Sequence, residues 1–130
     1  MMDNIPPKVQ NQIAQFQQLT QQIQMITSQK IQLEAQVKEL EKTVEELEKA
    51  PAEAAVFKNA GSLLIETKDR PALLTELKDQ KETVEVRVKT LDRQDKHLRE
   101  RHSALQAQIT QALQMPGAAA AGKKDDEGSD

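Results

Sequence analysis

The strongest constraint in this chain is a pair of heptad repeats, one on either side of a short insert. In the first, Val9, Phe16, Ile23, Lys30, Val37 and Val44 fall seven apart at position a. Leu19, Ile26, Leu33, Leu40 and Leu47 follow at d, and Gln12 breaks that row. In the second repeat Leu77, Val84, Leu91, Leu98, Leu105 and Ala112 form the d row. Leu74, Lys81, Val88, Asp95, His102 and Ile109 form the a row. Such a repeat, sustained over several heptads, specifies a coiled-coil seam rather than an ordinary surface helix.

Folding the second segment back on the first sets a against d, and every layer matches at one antiparallel register. Phe16 then meets Leu105, Ile23 meets Leu98, Val37 meets Val84 and Val44 meets Leu77. The alternate layers set Leu19 against His102, Ile26 against Asp95, Leu33 against Val88 and Leu47 against Leu74. Each helix of about forty residues would be about 60 Å long. Lys30, Lys81 and Asp95 interrupt the seam. Either their polar ends snorkel out of a narrow two-stranded core, or they fix register at a cost in stability.

Prolines mark the boundaries. Pro6-Pro7 opens the first helix, where a missing N–H is no loss, Pro51 closes it, and Pro71 opens the second. Pro116-Gly117 ends the second. The expected domain is residues 1–115, with a helix over about 7–49, a β-hairpin over about 54–67 and a helix over about 70–115. Residues 116–130 read as a flexible acidic tail. The fold class is mainly α, a long antiparallel two-helix coiled coil joined by a single β-hairpin.

Composition agrees. Aromatic residues make up 2% of the chain, two Phe with no Trp or Tyr, which suits a thin core rather than a globular one. The 18 basic and 21 acidic residues are balanced, which is no footprint for nucleic acid. The absence of Cys excludes a disulfide framework and thiolate metal sites, and suits a reducing compartment. No apolar run reaches the length of a membrane span, and Met1–Lys8 does not read as a signal peptide. The expected location is cytoplasmic.

The insert changes character. Ala55-Val56-Phe57-Lys58, Asn59-Ala60-Gly61 and Ser62-Leu63-Leu64-Ile65-Glu66-Thr67 read as strand, turn and strand, with Asn and Gly supplying positive-φ positions. Val56 and Phe57 are consecutive, as are Leu63, Leu64 and Ile65, so apolar side chains point to both faces. A two-stranded hairpin is marginal alone, and its edges carry unpaired backbone groups. A larger sheet built from several chains resolves both problems; the plainer alternative is that the insert packs onto its own helices.

Catalytic and metal chemistry find no footing. His97 and His102 lie five apart on a helix and do not share a face, and no carboxylate cluster with ligand spacing accompanies them. The four glycines, Gly61, Gly117, Gly122 and Gly128, make no phosphate loop. A coiled coil of this width encloses no cavity from which water is excluded. The expectation is a non-enzyme with no metal and no cofactor. The Gln-rich stretch from Gln10 to Gln36 has the composition of a prion-like segment, but its apolar heptad makes it a helix with a neutral polar face.

One apolar excess remains. Ile5, Val9, Ile13, Phe16, Ile109, Leu113 and Met115 cluster at the end away from the hairpin, where no further layer caps the coil. Such a patch marks an interaction site. Fraying ends with ordinary exposed side chains are the alternative.

The segment Pro7-Lys8-Val9-Gln10-Asn11-Gln12-Ile13-Ala14-Gln15-Phe16-Gln17-Gln18-Leu19 resembles the N-terminus of archaeal prefoldin beta subunits. The hairpin Val56-Phe57-Lys58-Asn59-Ala60-Gly61-Ser62-Leu63-Leu64-Ile65 and the segment Leu91-Asp92-Arg93-Gln94-Asp95 are similar to theirs as well. The likeness covers about residues 5–115, and the single hairpin matches the beta class, since alpha-class subunits carry two. The resemblance implies a hexamer of two alpha-class and four beta-class subunits whose hairpins assemble into an intersubunit β-barrel. It further implies an ATP-independent holdase whose coiled-coil tips bind unfolded or nascent polypeptides and deliver them to a group II chaperonin. Val56, Phe57, Leu63, Leu64 and Ile65 would then form the assembly platform, and the seven tip residues would touch clients. A scaffold or tether on the same coil, without affinity for unfolded chains, is the rival reading.

Overall fold

The computed structural model describes residues 5–114. Helix α1 spans Pro7–Lys49, strands β1 and β2 span Val56–Ala60 and Leu63–Thr67, and helix α2 spans Arg70–Gln114. Met115 and the tail read over residues 116–130 lie outside the described residues. Pro7 stands at the first helical position, and the Pro6 carbonyl accepts the Gln10 N–H at 3.0 Å. Asp69 caps α2: its carboxylate accepts the Ala72 N–H at 3.0 Å, so Pro71 sits harmlessly inside the first turn.

The chain divides into two compact units, one of residues 1–28 and 92–130, the other of residues 29–91. In the second unit Val44, Leu47 and Val84 are buried from the a and d rows. Lys81, at a, leaves the seam as snorkelling requires. Its ammonium reaches Glu85 at 3.4 Å and Glu41 at 3.6 Å. Desolvation of Lys81 acts to lower its pKa, but the two carboxylates outweigh it and the pKa is raised. Lys78 pairs with Glu48 at 3.2 Å, a second link across the same stretch of coil. The Lys81–Glu41 contact is one residue from the antiparallel register read off the heptads.

Between the helices, a turn closes with Ala54 N–H on the Pro51 carbonyl at 3.0 Å. Arg70 then gathers this connection. Its guanidinium donates to the carbonyls of Ala50 at 3.0 Å, Pro51 at 2.7 Å and Ala54 at 3.3 Å. The residue that opens α2 thereby satisfies carbonyls left over where α1 ends, with a cation placed at the negative end of the helix dipole.

The hairpin turn corrects one expectation. Asn59 and Ala60 belong to β1, paired with Leu64 and Leu63, and among the described residues none other than glycine has positive φ. Gly61-Ser62 forms the two-residue turn, with Gly61 at φ 65°. Positive φ at the first turn position alone is the II′ pattern, which matches strand twist and wants Gly there. Extending the ladder to the pair Ala60↔Leu63, which closes a two-residue loop, adds backbone pairing that an Asn59–Gly61 turn would forgo, so the turn moves along the chain.

In the first unit Val9, Leu19 and Ile23 are buried. His102, an a residue, stacks on Phe16 with ring centroids 4.1 Å apart, and its Nε2 lies 2.9 Å from the Thr20 hydroxyl. That hydroxyl donates its one proton to the Phe16 carbonyl at 3.0 Å, so Nε2 is the donor toward Thr20. The Thr20–His102 contact and a Gln12–Gln108 amide contact at 3.3 Å each lie one residue from the expected register. Asp95, a further polar a residue, takes both Oδ atoms to Arg99 Nε at 3.0 Å. Cysteines placed at Val37 and Val84 are expected to oxidise to a disulfide within one chain, read as a mobility shift independent of protein concentration. Val37 paired with a cysteine at Leu77 or Leu91 is expected to stay reduced; the opposite result would reveal a heptad slip.

Candidate interaction surfaces

In an antiparallel ladder, directly opposed residues project to the same side and the side alternates along each strand. The register Val56↔Thr67, Lys58↔Ile65 and Ala60↔Leu63 puts these six on one face. Phe57↔Glu66 and Asn59↔Leu64 occupy the other. Leu63 and Ile65 are 63% and 51% exposed on the first face, and Phe57 and Leu64 are 56% and 69% exposed on the second. Phe57 and Leu64 are diagonal neighbours, close enough to form one patch. Val56 is half-buried at the hairpin base. The sheet has two strands, so each strand keeps one edge without a ladder partner among the described residues.

Lys58 ties the first face to α2 through the Glu76 carboxylate at 2.9 and 3.2 Å. With Arg70 it sets how the hairpin leaves the helix ends. Neither residue stands out in the sequence as a positioning group. Only Asp69, three residues before the N–H it caps, leaves a readable signal.

The tip residues divide. Val9 is buried, with 5% of its surface exposed. Ile5, Ile13, Phe16 and Ile109 are half-buried, and Phe16 spends one face on His102. Leu113 is exposed. Met115 lies outside the described residues. The apolar character at this end therefore sits mostly half in the seam. Met25, exposed on the outer side of α1, is a further apolar side chain in this unit that the seven-residue cluster did not include.

Among the described residues no group of three or more His, Cys, Asp or Glu is arranged to hold a metal ion. No described helix is long and apolar enough to cross a membrane.

Known proteins share this arrangement. The family model described as "Prefoldin subunit" matches residues 10–115. The chain is 43% identical to the prefoldin subunit beta of Methanothrix thermoacetophila over 117 residues, 89% of this chain and 97% of the relative. It is 49% identical to that of Methanocella arvoryzae over 112 residues, 86% of this chain and 88% of the relative. The crystal structure of the prefoldin beta subunit from Thermococcus strain KS-1 superposes with a TM-score of 0.79 at 38% identity, covering 86% of this chain and 97% of that one. Two heptad helices around one hairpin, matched over nearly the whole length in both sequence and backbone, mean that this chain belongs to the prefoldin family as a subunit of the beta kind.

Proposed function

We propose that this chain is a subunit of an ATP-independent holdase in the cytoplasm, joined to other prefoldin subunits through its hairpin and binding unfolded or nascent polypeptides at its coiled-coil tips. In the full reading, four such chains join two alpha-class subunits and pass clients to a group II chaperonin. No catalysis is required of it: holding a client needs only reversible contact.

The observation that carries the proposal is the hairpin apolar on both faces. Phe57, Leu63, Leu64 and Ile65 are all more than half exposed in the single chain. Burying such a side chain is worth about 1.5–3 kcal/mol. Strand edges beside them supply backbone hydrogen bonds to a neighbouring hairpin, so a shared sheet satisfies edges and faces together. On this reading the remaining apolar residues serve the chaperone role. Ile13, Phe16, Ile109 and Leu113 lie at the end of the coil opposite in sequence to the hairpin, and several weak tips acting together bind far more tightly than one.

Leu64→Asp is expected to leave the helical content unchanged while light scattering shows the high-mass assembly lost, because an unpaired carboxylate buried there costs several kcal/mol. A full-size assembly from this variant would rule out the platform. Deleting residues 1–13 and 110–130 is expected to do the reverse, keeping the mass of the shortened assembly intact and ending suppression of aggregation of a denatured test protein. If the truncated assembly protects as well as the whole, the tips are not the site. If neither protects, a coiled-coil scaffold replaces the chaperone.

A further inference from the structure

Arg70 stands where its own helix does not favour it. It opens α2, whose first turn holds no acidic residue, so its cation lies at the positive end of that helix dipole. The carboxylate beside it in sequence, Asp69, caps the Ala72 N–H. The guanidinium turns instead to the connection between α1 and β1, where two of its nitrogens reach the Ala50, Pro51 and Ala54 carbonyls. That connection, Pro51-Ala52-Glu53-Ala54-Ala55, is exposed throughout and has no large apolar side chain to bury. A segment so short of packing has little of its own to fix a direction. A second anchor follows inside β1, where Lys58 meets both oxygens of the Glu76 carboxylate at 2.9 and 3.2 Å. Arg70 and Glu76 both belong to α2, so the path into the hairpin is tied at two points to one helix. The apolar side chains of the hairpin, Phe57, Leu63, Leu64 and Ile65, are more than half exposed and supply no core that could do the same.

We propose that Arg70 is the positioning residue for assembly: by holding the α1–β1 connection on α2, it presets the direction in which the hairpin offers its edges and apolar faces to neighbouring subunits. The inference rests on the reading of the hairpin as the assembly platform and names what aims it. A hairpin already held in its bound direction loses less freedom on association, so the same contacts bind more tightly. The two anchors differ in kind. Arg70 donates to neutral carbonyls from a planar fork, which a lysine cannot reproduce and salt screens little. Lys58–Glu76 is an ion pair between half-exposed side chains, and salt weakens it. The position of Arg70 gives the inference a sign. Removing a cation from the start of α2 would favour that helix, so weaker assembly on removal cannot come from a weakened helix dipole.

The test uses the full chain co-assembled with an alpha-class prefoldin subunit. The concentration at half-assembly is read by diluting the complex and weighing single particles, at low and at high NaCl. Arg70→Lys keeps the cation without the planar fork, and Arg70→Met keeps neither. Both are expected to raise that concentration about tenfold at either salt, with the helicity of the chain unchanged. Lys58→Met is expected to raise it about threefold at low salt and not at high salt, and the swap Lys58→Glu with Glu76→Lys to restore it. The chain holds no Cys, so Ser62→Cys and Glu82→Cys can carry a dye pair for single-molecule energy transfer on the dissociated chain. A narrow distance distribution is expected for the unaltered residue 70 and a broad one for Arg70→Lys and Arg70→Met. Equal widths overturn the positioning role, and so does a variant that loses helicity, which would make Arg70 a folding residue. If Arg70→Lys orders and assembles as the unaltered chain does, charge suffices and the fork is overturned. If every Arg70 and Lys58 variant assembles normally, the anchors are overturned while the platform stands. Leu64→Asp, run alongside, reaches full size only if the platform itself is wrong.

Discussion

A two-stranded seam can cover an apolar side chain from one side only, and this limit governs the rest of the molecule. Even the best-covered side chains, Val9 and Leu19, keep 5% of their surface exposed. No described side chain falls below 2%, which globular interiors reach routinely. Such a core has no room to absorb the apolar faces of the hairpin. It does tolerate a lysine at an a position, because the Lys81 stem packs while its ammonium finds Glu41 and Glu85 outside. The same thinness that admits polar residues to the seam leaves Phe57, Leu63, Leu64 and Ile65 exposed.

The hairpin answers this limit with order rather than bulk. Lys58 anchors one face to Glu76, Arg70 fixes the connection behind it, and Gly61-Ser62 closes a turn whose twist suits the strands. Nothing lies within 4 Å of where a Cβ on Gly61 would sit. Glycine is required there by its positive φ alone, and the turn stands clear of its own chain.

Much of this was legible in the residues. Heptad spacing is a long-range regularity, so a local error does not disturb it, and the antiparallel register holds to within a residue at Thr20–His102, Gln12–Gln108 and Lys81–Glu41. Prolines are unambiguous because they lack a donor. The turn was misplaced by one residue because Asn tolerates positive φ in principle, and only the ladder pairing of Asn59 with Leu64 decides against it. The Arg70 contacts were invisible because backbone carbonyls carry no residue signature. Val9 shows a different limit: composition assigns it to an apolar tip and the heptad to the seam, and the fold buries it.

The Arg70 contacts also set the order in which the second unit can form. They join residues 16 to 20 positions apart, and Lys58–Glu76 spans 18, so the first closures around the hairpin are local ones. Lys78–Glu48 and then Lys81–Glu41 follow outward from that point, each enlarging a loop already closed. Loop-closure entropy rises only logarithmically, by about 0.6 kcal/mol per doubling, so zippering from the clamp meets no large entropic step. Topologies of this kind fold quickly, since their early contacts are near in sequence. A chain whose exposed hairpin is an aggregation hazard thus reaches the state that presents it correctly without a slow search.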